Sequence, residues 1–315
     1  MELDLRTRKS EVLVSLEGIT KYYGDRLAVD NISFDVGKGE ILGFLGPNGA
    51  GKTTSMRIIT GYMPPTKGSV KVAGIDMLEK PVEAKKHIGY LPENPPIYTE
   101  MTVLSYLRFV AKLKKVPSNK IKERLDFVLQ KCGLEQVKGR IIGNLSRGYK
   151  QRVGIAQAII HDPEIIIFDE PTVGLDPQQV VEIRNLIKEI SREKTVILST
   201  HILSEVTKIC DRVIIISQGR LVFGKYLDEI GEETEEKRIK VVIDGKEQIQ
   251  MAYDIVSKIS GVKKVSSEDS TLLVVSNQDI RKSIVEKLTE AKIIPLEVYR
   301  EKPSLEEIYL KVVSA

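Results

Sequence analysis

Gly46-Pro47-Asn48-Gly49-Ala50-Gly51-Lys52-Thr53 satisfies the pattern G-x-x-x-x-G-K-[ST] without a mismatch. The apolar run before it, Glu40-Ile41-Leu42-Gly43-Phe44-Leu45, predicts a short buried strand, and Thr54 to Thr60 predicts the start of a helix. Strand, glycine loop and helix form the setting in which this pattern cradles a polyphosphate. Many backbone N–H groups must converge on the anion, so the loop curls into a concave nest that larger side chains would block. The helix that follows turns its positive end toward the charge. Lys52 is then placed for the β- and γ-phosphates, and the Thr53 hydroxyl for a Mg²⁺ ion. Every residue from Gly46 to Thr54, namely Gly46, Pro47, Asn48, Gly49, Ala50, Gly51, Lys52, Thr53 and Thr54, is an expected nucleotide contact.

A chain of 315 residues is long enough for about two domains and a large core. Its net charge of +4 is the small difference between 48 basic and 44 acidic residues, too weak to argue for nucleic acid. Cys132 and Cys210 are far apart and offer neither a metal cluster nor a disulfide framework; both are expected to pack as small apolar residues. Met1 to Ser10 lacks the apolar centre of a signal peptide, and no stretch approaches the roughly 18 apolar residues of a membrane span. Any membrane role is therefore expected to depend on another chain.

Val12 to Ile19, Ile32 to Val36 and Gly68 to Ala73 have strand-like composition, and Lys21 to Asp25 reads as a turn carrying two aromatics. From about Pro92 to Gly143 the spacing becomes helical, with Leu104, Leu107 and Ala111 in one group and Ile121, Leu125, Val128 and Cys132 in another. The basic run from Lys112 to Arg124 reads first as a solvated face, with contact to a partner or lipid head groups as the sharper alternative. Strands then alternate with helices: Ile165 to Phe168, Val196 to Leu198 and Val213 to Ile216 are strands, and Asp176 with Gln179 forms a capping box around Pro177 at a helix start. Such alternation predicts a mainly parallel sheet whose ligands bind at the carboxyl ends of the strands. After a charged linker, 231–237, the order strand, helix, strand, strand, helix, strand predicts a ferredoxin-like domain, and Ser304 to Glu307 predicts the cap of a final helix. No internal repeat is present.

Ile165-Ile166-Ile167-Phe168 ends at Asp169-Glu170, which sets two carboxylates at a rigid strand end. Asp169 is placed to hold Mg²⁺ through its water shell, and Glu170 to polarise a water aimed at the γ-phosphate. With Leu145-Ser146-Arg147-Gly148-Tyr149-Lys150-Gln151-Arg152, Gly174-Leu175-Asp176-Pro177 and His201 in this order, the chain resembles the ATP-binding subunit of an ABC transporter across nearly all of residues 12–230. The resemblance implies an α/β P-loop NTPase over 11–230, with a RecA-like core, an antiparallel β subdomain and a helical subdomain at about 92–155. A small α+β ferredoxin-like accessory domain over 238–315 completes the expected fold.

The same resemblance implies the remaining roles. Tyr23 matches the aromatic that stacks on adenine; Tyr22 is the neighbouring candidate, with a place in the core as the alternative reading. Ser146, Arg147 and Gly148 fall in the signature segment that closes over ATP held by a second subunit. Asp176 matches the loop that links two sites, and His201 the switch at the γ-phosphate, so Glu170, His201 and Lys52 form the expected catalytic group. Two copies, head to tail, would sandwich two ATP molecules, each with Mg²⁺, to drive a separate integral membrane permease. The chain would then sit in the cytoplasm, on the inner face of the membrane through that partner, without nucleic acid.

Three departures from the family pattern involve four positions. Arg147 and Tyr149 replace a Gly and the Gln of Leu-Ser-Gly-Gly-Gln. Glu93, in Tyr90-Leu91-Pro92-Glu93-Asn94, replaces a metal-contacting Gln, keeping an oxygen but adding charge; with Thr53 and Asp169 it completes the expected metal set. Val173 replaces a small polar residue. Pro303 to Tyr309 and the ferredoxin-like tail resemble the ABC-2-type exporter branch. A soluble ABC ATPase acting on ribosomes or DNA is the alternative from another class; the single cassette and the lack of a long heptad arm speak against it. A regulatory nucleotide-binding module with little turnover is the third reading, for which Glu93 speaks and against which Glu170 and His201 speak.

Overall fold

A computed structural model describes residues 5–230, 237–301 and 303–313. The chain divides into two units, Met1–Leu227 with Val312–Ala315, and Asp228–Lys311. The expected linker, 231–237, lies outside the described residues except for Lys237.

The first unit opens with β1 (Val12–Tyr23) and β2 (Arg26–Gly37), joined by a tight reversal at Gly24, whose φ is +57°. The turn is shorter than the sequence predicts. Tyr22 and Tyr23 stay in β1, opposite Leu27 and Arg26, because aromatic side chains favour a pleated surface. β3 (Ile41–Leu45) runs into the glycine loop and α1 (Lys52–Ile59) leaves it. Then come β4 (Lys67–Val72), β5 (Ile75–Asp76), α2 (Pro81–Lys86) and β6 (Ile88–Leu91). The helical stretch holds α3 (Val103–Leu113), α4 (Ile121–Lys131) and α5 (Arg147–Ile159). The alternating part comprises β7 (Ile165–Asp169), α6 (Pro177–Ser191), β8 (Thr195–Thr200), α7 (Leu203–Ile209), β9 (Arg212–Ser217) and β10 (Arg220–Tyr226).

These strands make two sheets. One is antiparallel, in the order β2-β1-β4-β5; the other runs β10-β9-β3-β8-β7-β6 and is parallel except for β10. Every residue of β3, β7, β8 and β9 is buried, as expected for strands covered on both faces. Pairing of Leu45 with Thr200 and of Asp169 with Ser199 brings the carboxyl ends of β3, β7 and β8 side by side. Helix α5 packs tightly on β6: a Cβ at Gly89 would lie 2.2 Å from the carbonyl oxygen of Ala158.

In α3 the buried face is centred on Val103, Leu107 and Ala111, with Leu104 at its margin; in α4 it includes Leu125 and Val128, followed by Cys132. The lysines between Lys112 and Lys122 are exposed, a solvated face, whereas Arg124 donates to the carbonyls of Ile159 and Ile160 at the end of α5. Both cysteines are buried and unpaired with each other.

The second unit contains β11 (Lys237–Ile243), α8 (Ile249–Val256), β12 (Val262–Glu268), β13 (Thr271–Ser276), α9 (Arg281–Glu290) and β14 (Pro295–Glu301). All its strand pairs are antiparallel, in the order β12-β13-β11-β14, which is the ferredoxin-like arrangement. Alternate residues Ile239, Val241 and Ile243 of β11 face Ala252 and Val256 of α8 and Ile284 and Leu288 of α9 in one core. Helix α10 (Leu305–Val313) starts at Ser304, whose hydroxyl accepts from the Glu307 N–H at 3.2 Å. Among the described residues, no helix is long and apolar enough to cross a membrane.

Candidate functional site

The glycine loop takes its shape from backbone that only small residues permit. Gly49 and Gly51 have φ of +80° and +109°, and a Cβ on Gly46 would stand 2.4 Å from the Ile216 carbonyl oxygen on β9. Lys52 bends back over the loop, donating to the carbonyls of Gly46 at 2.7 Å and Pro47 at 3.2 Å. Its ammonium lies 3.2 Å from Glu170 Oε1, and both side chains are buried. Thr53 Oγ1 donates to Asp169 Oδ1 at 3.4 Å. His201, just past β8, sets Nδ1 2.8 Å from Glu170 Oε2.

Three strand ends thus meet over one cleft of about 790 Å³, within the range of small-ligand pockets. Tyr23, Asn48, Gly49, Gly51, Lys52, Thr53, Thr54, Glu93, Glu170 and His201 all border it. Asp169 lies beneath, fully buried. Its carboxyl is pushed up from the ordinary range, first by burial and further by the charges of Glu170 and Glu93. Tyr23 is exposed at the rim, its hydroxyl 3.0 Å from Met63 Sδ. Tyr22 is 42% exposed and so is not the core residue that its composition suits.

The signature residues lie elsewhere. Ser146 caps α5, accepting from the Tyr149 N–H, and Asp176 caps α6, accepting from the Gln179 N–H at 2.9 Å. The Gln179 side chain does not complete a capping box; it lies over Gly148, where a Cβ would be 2.7 Å from its Cδ. Ser146, Gly148 and Asp176 border a second recess that shares no residue with the phosphate cleft. Arg147 is exposed, and its guanidinium rests on Gly174, where a Cβ would come within 2.1 Å of it.

Arg57, which borders the cleft, and Tyr90, which lies against the buried Asp169, both escape sequence reasoning. Arg57 stands one helical turn beyond Thr53, the i, i+4 spacing that puts both on one face of α1. Tyr90, on β6, brings its hydroxyl 3.5 Å from Asp169 Oδ2; burial and then that neighbouring carboxylate push its phenol well above the usual range. Its sequence signal is position alone, three residues ahead of Glu93 on a strand bordering β7.

A family model described as ABC transporter matches residues 29–173. The ABC transporter ATP-binding protein YhcH of Bacillus subtilis, itself uncharacterised, is 36% identical over 82% of this chain and 86% of its own length. The chain belongs to the ABC transporter ATP-binding proteins. This ABC cassette is also 38% identical, over 67% of its length, to the Nod factor export ATP-binding protein I of a Rhizobium species, of which it covers 70%. Its fold matches a dimeric ATP-binding cassette in a post-hydrolysis state bound to ADP and phosphate, with a TM-score of 0.62 and 26% identity over 68% of this chain and 99% of that one. The ABC cassette described here is an ATP-binding transporter subunit and an ATPase. Tyr23 and His201, both bordering its cleft, fall outside the matched residues 29–173.

Proposed function

We propose that two copies of this chain, or one copy and a related cassette, meet head to tail around two ATP molecules and drive a separate membrane permease, in export. The observation that carries this is the separation of the two recesses. The phosphate loop, Asp169, Glu170 and His201 converge on one, whereas Ser146, Gly148 and Asp176 border another. A second molecule is needed to bring a signature segment to the triphosphate. The export reading is supported by the named role of the Nod factor relative and by the ferredoxin-like second unit.

In this reading Tyr23 stacks on the adenine at the rim, and the loop N–H groups with Lys52 and Thr54 hold the phosphates. Lys52, now turned toward Gly46 and Glu170, exchanges those partners for phosphate oxygens. Thr53, Asp169 and Glu93 offer only oxygens, the donor type of a hard divalent cation, and the excess negative charge around Asp169 fits one. Mg²⁺ held there would neutralise charge on the β- and γ-phosphates. Glu170 accepts a proton from the attacking water as that water bonds to the γ-phosphorus, while the bond from the γ-phosphorus to the β–γ bridging oxygen breaks and ADP leaves with its electron pair. With Nδ1 of His201 on Glu170, its Nε2 is left for the γ-phosphate. The Ser146 hydroxyl, the N–H groups at the start of α5 and Arg147, from the opposite copy, add positive potential at the same phosphate. Asp176 carries the state of one site to the other, and α3 to α5 pass closure to the permease.

Detergent extracts of cells expressing the tagged chain are expected to yield it together with a multi-span membrane protein. Recovery with ribosomes or DNA and without a membrane protein would contradict the reading.

A further inference from the structure

The turn after β7 and the turn after β8 share one buried carboxylate. Glu205, in the first turn of α7, is 1% exposed. Its Oε1 accepts from Thr172 Oγ1 at 2.5 Å, and its Oε2 from Thr200 Oγ1 at 2.8 Å. Both threonines are buried. Taking a carboxylate out of water is costly, and here hydroxyls and the positive end of α7 offset that cost, not a cation. An apolar side chain of similar size would fill the space without the cost, so the carboxylate is better explained by what it ties together than by stability.

It ties together the two residues of the hydrolytic pair. Thr172 lies two positions after Glu170, whose φ of +51° is a left-handed conformation that needs support from its surroundings. That support is the Glu170 N–H on Ser199 O at 2.9 Å, Gln151 Nε2 on Pro171 O at 2.7 Å, and Thr172 on Glu205. On the other side the Thr200 hydroxyl accepts from the Ile202 N–H at 3.1 Å while donating to Glu205, so it brackets His201 at the apex of the turn. The 2.8 Å contact between His201 and Glu170 is therefore made by two backbone segments held to the same carboxylate.

We propose that Glu205 is a positioning residue for ATP hydrolysis, clamping the turns that carry Glu170 and His201 into mutual register. Glu205 does not border the phosphate cleft. The phosphate loop hangs on β3 and α1 and is not bonded to Glu205, so turnover depends on the clamp and nucleotide binding does not. The inference rests on the reading of Glu170 and His201 as the pair that orients the attacking water.

The test compares kcat, affinity for a fluorescent ATP analogue and Tm for the full chain and for Thr172→Val, Thr200→Val, Thr172→Ser, Glu205→Gln and Glu170→Gln. Small misplacements of reacting groups cost up to about 10²-fold, so each valine variant is expected to lose about 10-fold or more in kcat. Nucleotide affinity stays at the wild-type value, and Thr172→Ser, which keeps the hydroxyl, recovers most of the rate. The two valine changes together fall short of the product of their separate effects, since both act through Glu205. Glu205→Gln, which keeps the volume and one acceptor oxygen, gives a smaller loss and decides the matter if a valine variant does not fold. Wild-type kcat in the valine and Gln variants, or affinity and Tm falling together with kcat and without rescue by serine, overturns the clamp. If Glu170→Gln is inactive while the clamp variants are not, only Glu205 loses its role; if Glu170→Gln turns over normally, the reading of the pair fails first.

Discussion

Glu170→Gln is expected to lower ATP turnover by about 10²–10⁴-fold, the usual worth of a positioned general base, while ATP binding persists. The amide keeps the side chain's size but cannot take the proton of the attacking water. It also withdraws a negative charge that faces the triphosphate and that pairs with Lys52 at 3.2 Å and with His201 at 2.8 Å. Binding is therefore unchanged or tighter, and without hydrolysis the closed pair of chains does not reopen. Size-exclusion chromatography with light scattering should show an ATP-dependent dimer that accumulates in the variant and not in the parent. Near-normal turnover would remove Glu170 from the role given to it.

Lys52→Ala is expected to act earlier, on binding. A hydrogen bond to a charged group is worth about 1.5–3 kcal/mol, so losing the ammonium weakens ATP by about 10–100-fold. The substitution also removes the cation beside the buried Glu170, leaving that carboxylate uncompensated in the cleft that receives the triphosphate. Titration with a fluorescent nucleotide measures this directly, and an unchanged dissociation constant would count against the phosphate-loop assignment. The two variants differ in kind: one binds and does not turn over, the other fails to bind.

Much of this was legible in the chain itself, for physical reasons that differ by residue. The glycine loop and the run Ile165 to Glu170 are readable because buried parallel strands leave unbroken apolar runs and a phosphate cradle needs glycine at fixed places. The ferredoxin-like order of the second unit is readable from alternating strand residues such as Ile239, Val241 and Ile243, which enter one core. The core alternative for Tyr22 fails, and the sequence does not decide it because an aromatic in a strand is equally compatible with either face. Gln179 has the spacing of a capping box, yet spacing does not reveal that Gly148 leaves room for its side chain from another helix. Tyr90, Arg57 and Glu205 were missed because their meaning lies in contacts across β6, α1 and α7 with Asp169, the cleft and the two threonines. No local pattern marks such a residue.

A mixing experiment tests the composite pocket most directly. Lys52→Ala disables the phosphate cradle of its own chain, and Ser146→Arg disables the lid that its chain offers to another. Each homodimer is then inactive. If lids act on the opposite copy, a mixed dimer carries both lesions in one pocket and leaves the other intact. Equal mixing is predicted to restore about a quarter of the wild-type ATPase rate, since about half of the dimers are mixed and each has one intact pocket of two. A mixture as inactive as either variant alone would contradict the account.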